Sequence, residues 1–182
     1  MTRNSGFGFM VCALVALAFA GPGHAADATV RANAATQGEG RFYRATEDMI
    51  LFSGFFQGAI NVTNQQGDLT VNAASLTCPG TLEVNTTTKM TEGEGRCLFV
   101  TQDGTHVYGR WTCMGKPGAG CGGTFKVLGG TGRFKNASGQ GDFMMTSTLT
   151  EMQVTVPQDG QGGVTGNFTG KVEWPELKVT TK

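Results

Sequence analysis

The chain has 182 residues, 39% hydrophobic and 15% charged, with 14 basic and 14 acidic side chains that cancel to a formal net charge of zero. That balance, with no basic run, argues against nucleic acid and acidic membrane surfaces as partners. Twenty-nine glycines and the lack of any clear 3.6-residue periodicity argue against a helical fold.

Residues 1–25 read as a cleaved signal peptide. Arg3 supplies the positive start, and Phe7 to Ala20 is an apolar stretch too short to span a bilayer. Gly21 and Pro22 break that stretch, and Gly23-His24-Ala25 offers small residues before a cleavage point. Cys12 lies inside the apolar run and is discarded with it. The expected location is therefore periplasmic or secreted, with no membrane span in the mature chain. Removing 1–25 from the 182 leaves 157 residues, enough for one domain with a real core. His106 is then the one remaining histidine, which removes any two-histidine metal site. Residues 26–40 are small and polar and read as a flexible N-terminal arm, leaving 41–182 as the folded domain.

Met49 to Val62 reads as a long strand with Gly54 and Gly58 as bends or bulges. Turn chemistry follows at Gln66-Gly67-Asp68, Cys78-Pro79-Gly80, Asp103-Gly104 and Asp159-Gly160. A two-residue turn at Asp103-Gly104 sets Thr101 opposite His106, Val100 opposite Val107, Phe99 opposite Tyr108 and Arg96 opposite Trp111. In that register Leu98, Val100, Val107 and Trp111 form a core face. Cys97, Phe99, His106, Tyr108 and Arg110 form the other, mixed face. His106 could shuttle a proton, Tyr108 donate and Arg110 hold an anion, so His106, Tyr108, Arg110 and Phe99 are the candidate ligand-binding residues. No catalytic set and no metal site emerges.

Four cysteines remain after cleavage, which reads as two disulfides in an exported chain, with three possible connectivities. Cys113 and Cys121 are symmetric about Pro117 and would face each other across a hairpin mouth, which leaves Cys78 with Cys97 by elimination. The rival, a four-cysteine zinc site, has no CxxC pair to support it.

Gly129-Gly130-Thr131-Gly132 follows an apolar strand and could open a dinucleotide-binding unit. However, the position of the third glycine is Lys135, residues 135–141 make a poor helix, and 50 residues are too few to complete such a sheet. The bland alternative is a structural glycine turn between strands, with no cofactor. Beyond it, Phe143 to Met152 and Val164 to Trp174 alternate with period two. In the latter, Val164, Phe168, Val172 and Trp174 fall on one face. About eight short strands without helices predict an all-β, antiparallel barrel or sandwich.

GGTGRF followed by Ser138-Gly139-Gln140-Gly141-Asp142-Phe143 resembles the dirigent and allene oxide cyclase barrel superfamily, particularly its small exported bacterial members. The likeness covers Cys121 to Phe143 and, more weakly, Leu69 to Gly80 and Gly93 to Cys113. It implies a single eight-stranded antiparallel barrel, homo-oligomeric in many members. Characterised members are isomerases, cyclases or guides of radical coupling that act on hydrophobic substrates. Their acidic and basic catalytic residues have no counterparts here, and the disulfides and the glycine-rich loop at 114–120 depart from the plant pattern. The fold is therefore expected, and the activity is not. Three roles follow as expectations: binding a small hydrophobic molecule or an envelope component, cofactor-free isomerisation or cyclisation in the barrel, or a purely structural envelope role.

Overall fold

The computed structural model describes residues 26–64, 69–155 and 163–181. Residues 1–25, read above as a signal peptide, and the turns expected at 66–68 and 159–160 lie outside the described residues. Eight strands run β1 (Ala26–Arg44), β2 (Met49–Asn64), β3 (Leu69–Asn85), β4 (Met90–Val100), β5 (His106–Lys116), β6 (Gly120–Gly130), β7 (Ser138–Thr155) and β8 (Gly163–Thr181). Each pairs antiparallel with the next, and β1 pairs with β8, so the sheet is a closed barrel. A single 3-10 turn, Gly132–Phe134, joins β6 to β7.

Residues 26–40 correct the reading of a loose arm: they are the first part of β1, hydrogen-bonded to β2 on one side and to β8 on the other. Small polar composition signalled disorder, but it also suits the closing strand. Ala32, Ala34 and Thr36 are buried, and their small side chains let large residues opposite fill the interior.

Cys78-Pro79-Gly80 is not a turn. It lies within β3, with Pro79 opposite Phe55 of β2. On the other side, the β3–β4 ladder pairs Thr77 with Leu98 and resumes only at Gly80 with Gly95. Pro79 has no N–H to give there. The disulfide Cys78–Cys97 spans this gap, its Cα atoms 4.1 Å apart. The second disulfide joins Cys113 to Cys121. Those two are not opposite each other, as symmetry about Pro117 suggested. Cys113 faces Gly123 and Gly115 faces Cys121, so the bridge runs diagonally, with Cα atoms 5.6 Å apart.

Gly54 and Gly58 are not bulges either, because the β1–β2 register runs unbroken past both. They are points of close approach: a Cβ at Gly58 would lie 2.0 Å from the Ala35 carbonyl oxygen. Close packing also surrounds Trp111, which is 5% exposed. Its ring lies within 2.3 Å of a Cβ built at Gly80 and within 2.6 Å of one at Gly95. Glycines on β3 and β4 make the room that the indole fills.

The alternation expected in the last strand is seen in Phe168, Val172 and Trp174, which join the core, but the parity then changes. Trp174 and Leu177 are both inward, with register shifts beside them in both neighbouring ladders. Pro175 sits in this irregularity, where a missing N–H is tolerated.

The core bears apolar residues, and the outward positions bear lysine, arginine, glutamate and threonine together with exposed apolar side chains such as Leu98, Met114, Leu149 and Val154. Among the described residues, no helix is long and apolar enough to cross a membrane.

Two outcomes test this packing. Gly95→Val should abolish the folded near-UV circular dichroism of the barrel, because the added side chain must displace Trp111 and the Pro79 carbonyl. Replacing Cys78 and Cys97 by alanine should cost about 2–4 kcal/mol in guanidinium unfolding. The Cys113/Cys121 pair, which closes a shorter loop, should cost less.

Candidate ligand-binding cavity

The two ends of the barrel interior are filled differently. Towards the β1–β2 turn, Phe42, Phe52, Phe56 and Phe168 stack in a cluster, with Phe42 to Phe52 at 5.0 Å and Phe52 to Phe168 edge-on at 5.3 Å between centroids. Towards the opposite end, the described inward residues of β1 to β3 that line the space are Ala28, Val30, Ala32, Ile60, Val62 and Ala74. The volume they leave is a cavity of about 280 Å³. It is just under the usual size of a small-molecule pocket and corresponds to about nine waters at liquid density.

Its floor is aromatic. Phe99, Phe125 and Trp174 meet edge-on, with Phe99 5.5 Å and Trp174 5.9 Å from Phe125. Below this layer, a void of about 20 Å³ is enclosed by apolar side chains including Phe56, Leu76 and Phe143. So small an apolar space stays dry. The Trp174 indole N–H is buried and has no hydrogen-bond partner among the described residues. Leu177 and Val179 complete the wall, and Thr101, Arg133 and Phe134 form part of the rim.

The rim is held by two short segments. The β4–β5 connection, 101–105, closes as a three-residue loop, Gln102 to Gly104, with the Thr101 N–H bonded to the Thr105 carbonyl at 2.9 Å and Gly104 at φ +76°. The Asp103 carboxylate accepts from the hydroxyls of Thr101 and Thr105 and from the Thr105 N–H. Those bonds, the Thr101 hydroxyl first, hold its pKa well below the usual carboxylate range, with the Arg133 charge a smaller cause. The second segment is Gly129-Gly130-Thr131-Gly132. Its backbone leaves β6, turns through Gly132 at φ +54° and presents Arg133 and Phe134 to the cavity. Thr131 binds His106 twice: its hydroxyl accepts from the His106 N–H at 2.9 Å, and its N–H donates to the His106 carbonyl at 2.8 Å. Arg133 lies 3.7 Å from the Asp103 carboxylate and stacks over Phe134 at 5.0 Å.

The three-residue loop also corrects the hairpin register. His106 faces Val100, Val107 faces Phe99, Tyr108 faces Leu98 and Arg110 faces Arg96. A shift of one residue reverses the face of a strand. Cys97 and Phe99 therefore point inward with Val107 and Trp111, while Leu98, Tyr108 and Arg110 lie on the outside. Of the four candidate ligand-binding residues, Phe99 forms the cavity floor. His106 starts β5 at the rim through its backbone. Tyr108 lies outside over Gly129, where a Cβ would come 2.6 Å from its hydroxyl. Arg110 is outside, paired to Glu94 at 2.6 Å. The structure does not bring the four together. The alanines and valines of the wall were hidden from sequence reasoning, because small residues on distant strands give no local signal. The one usable clue was the run of small residues at 26–40.

No protein-family model and no curated protein matches the chain. Among solved structures, it is similar to a pterocarpan synthase dirigent protein, GePTS1, with 10% identity, 84% of this chain and 94% of that chain covered, and a TM-score of 0.31. Neither activity nor substrate carries over from that likeness, and the barrel rests on its own strand pairing.

Asp103 makes the rim testable by pH. A carboxyl whose folded pKa is depressed lends stability that is present above the unfolded value, near 3.9, and is lost as pH falls towards the folded value. The Gly104 and Thr105 amide resonances should titrate with a midpoint clearly below about 3.9, and Asp103→Asn should remove the transition. A midpoint at or above that value would contradict the hydrogen-bonded loop.

Proposed function

We propose that the barrel binds a small apolar molecule in the cavity above Phe99, Phe125 and Trp174, in an oxidising compartment outside the cytoplasm. The observation that carries this reading is the asymmetry of the interior. One end is packed with phenylalanine, and the other leaves about 280 Å³ of apolar space between an aromatic floor and walls of mostly small aliphatic side chains. A protein selected only for stability would gain by filling that space, because each buried methylene lost from a core costs about 1 kcal/mol.

The wall favours binding over turnover. Besides hydrocarbon and aromatic rings, it presents the hydroxyls of Thr101 and Thr181 and the Arg133 guanidinium. The carboxyls whose pKa values move, Asp103 and Glu151, are exposed and move down through hydrogen bonds. Neither is poised as a general base or acid near neutrality. Volume limits the ligand to on the order of ten non-hydrogen atoms, the scale of one aromatic ring with a short substituent or a medium alkyl chain. The two disulfides agree with export, since such bonds persist in oxidising compartments.

Trp174 supplies the assay. In a Trp111→Phe background, Trp174 is the sole tryptophan, and indole-free probes such as toluene and 1-octanol should change its fluorescence saturably. Ala74→Leu fills the cavity from β3 and should weaken that binding at least about tenfold while leaving the circular dichroism intact. Probe affinity unchanged in Ala74→Leu, or no saturable response to either probe, would overturn the reading.

A further inference from the structure

The outer surface carries a pattern that exists only after folding. Reading across the ladders, Arg96 of β4 faces Arg110 of β5, Arg110 faces Lys126 of β6, Lys126 faces Gln140 of β7, and Gln140 faces Lys178 of β8. All five side chains are exposed. Five adjacent strands thus carry one row, about 19 Å along the curved outer surface of the closed barrel at the usual strand spacing, that holds four cations and no carboxylate.

Such a row is costly by itself, because like charges directly opposite on a sheet destabilise it and opposite charges are the favourable pairing. Neighbouring rows relieve it only in part. Glu94 pairs with Arg110 at 2.6 Å, and Glu176 lies 3.6 Å from Lys178. Among the described residues, Arg96 and Lys126 have no carboxylate within ion-pair distance. One flank is apolar: Leu98, Tyr108 and Leu128 are 40%, 44% and 40% exposed. The other is polar and carries three carboxylates, with Glu94 facing Thr112, Thr112 facing Thr124, Thr124 facing Asp142 and Asp142 facing Glu176.

We infer that this row is a docking stripe for a linear acidic polysaccharide. Charge complementarity selects an anion. The stripe is one side chain wide, and the carboxylates Glu94, Asp142 and Glu176 beside it repel a broad anionic sheet such as a lipid surface. A chain lying along the stripe meets a cation at most strands. Its sugar hydroxyls reach Thr112, Thr124 and Glu94 on one side, and a sugar face rests on the exposed Tyr108 ring on the other. A nucleic acid would need several stacking rings to hold successive bases, and the stripe has one. The site lies on the outside of the barrel and is independent of the cavity.

The net charge of zero makes the test sharp, because polyanion binding must come from a local field and not from bulk attraction. The full chain is titrated by calorimetry with oligogalacturonate, neutral dextran and a single-stranded oligonucleotide matched to the oligogalacturonate in charge. Oligogalacturonate should bind preferentially and weaken as salt rises to about 0.2 M. Arg96→Glu with Lys126→Glu should reduce its affinity at least about tenfold. Lys116→Glu with Lys135→Glu, the same charge change away from the stripe, should leave it within about twofold. The neutral pair Arg96→Gln with Lys126→Gln gives the same loss if charge reversal disturbs the fold. Equal losses in both double reversals, no oligogalacturonate binding, or equal binding of dextran or the oligonucleotide would each overturn the proposal.

Discussion

Closing eight strands into a barrel leaves no edge to aggregate, and it sets an interior that side chains must fill. Closure here depends on β1, which hydrogen-bonds β2 along one side and β8 along the other. β1 is also the thinnest wall. As far as Gly40 its inward residues are alanine, valine, threonine and glycine, so what fills the barrel must come from other positions. At one end Phe42 of β1 itself does so, with Phe52 and Phe56 of β2 and Phe168 of β8. At the other the neighbouring inward residues are Ile60, Val62 and Ala74, above the Phe99, Phe125 and Trp174 floor, and the interior is left open. Cavity and closure are thus two consequences of the same small-residue strand.

The disulfides support this arrangement at its weak points. Cys78–Cys97 crosses the break that Pro79 makes in the β3–β4 ladder. Cys113–Cys121 ties the β5–β6 hairpin on the same inner surface. Both sulfur pairs are buried in the core, and Trp111 packs beside them over the glycines of β3 and β4. The covalent links hold the solid half of the barrel, leaving the open half to be shaped by the Thr101–Thr105 loop and the Gly129–Gly132 turn.

The fold class was legible because period-two alternation and glycine-rich turns are local signals, and Phe168, Val172 and Trp174 kept the face that alternation assigned to them. What failed was pairing between strands. Asp-Gly suits a two-residue turn or the end of a three-residue loop. The hydrogen bonds from Thr101 and Thr105 to Asp103 select the latter, moving the register by one and turning Phe99 inward and Tyr108 outward. Cys-Pro-Gly carries turn chemistry, yet the closed sheet overrode it, with a disulfide bridging the lost ladder bond. The candidate site was legible only in Phe99. The rest of the cavity is made by the absence of bulk on three strands, and the cationic row is made by register alone. Neither property belongs to any contiguous stretch of chain.

Ligand binding as proposed requires the open end of the barrel to be a stable, accessible apolar space. Xenon tests it most directly, because it enters dry apolar cavities and needs no specific chemistry. In a xenon-pressurised crystal a xenon atom should lie above Phe99, Phe125 and Trp174, with the wall unmoved, and none among the packed phenylalanines at the other end. A crystal in which that space is collapsed, or filled by the protein's own side chains, would contradict it.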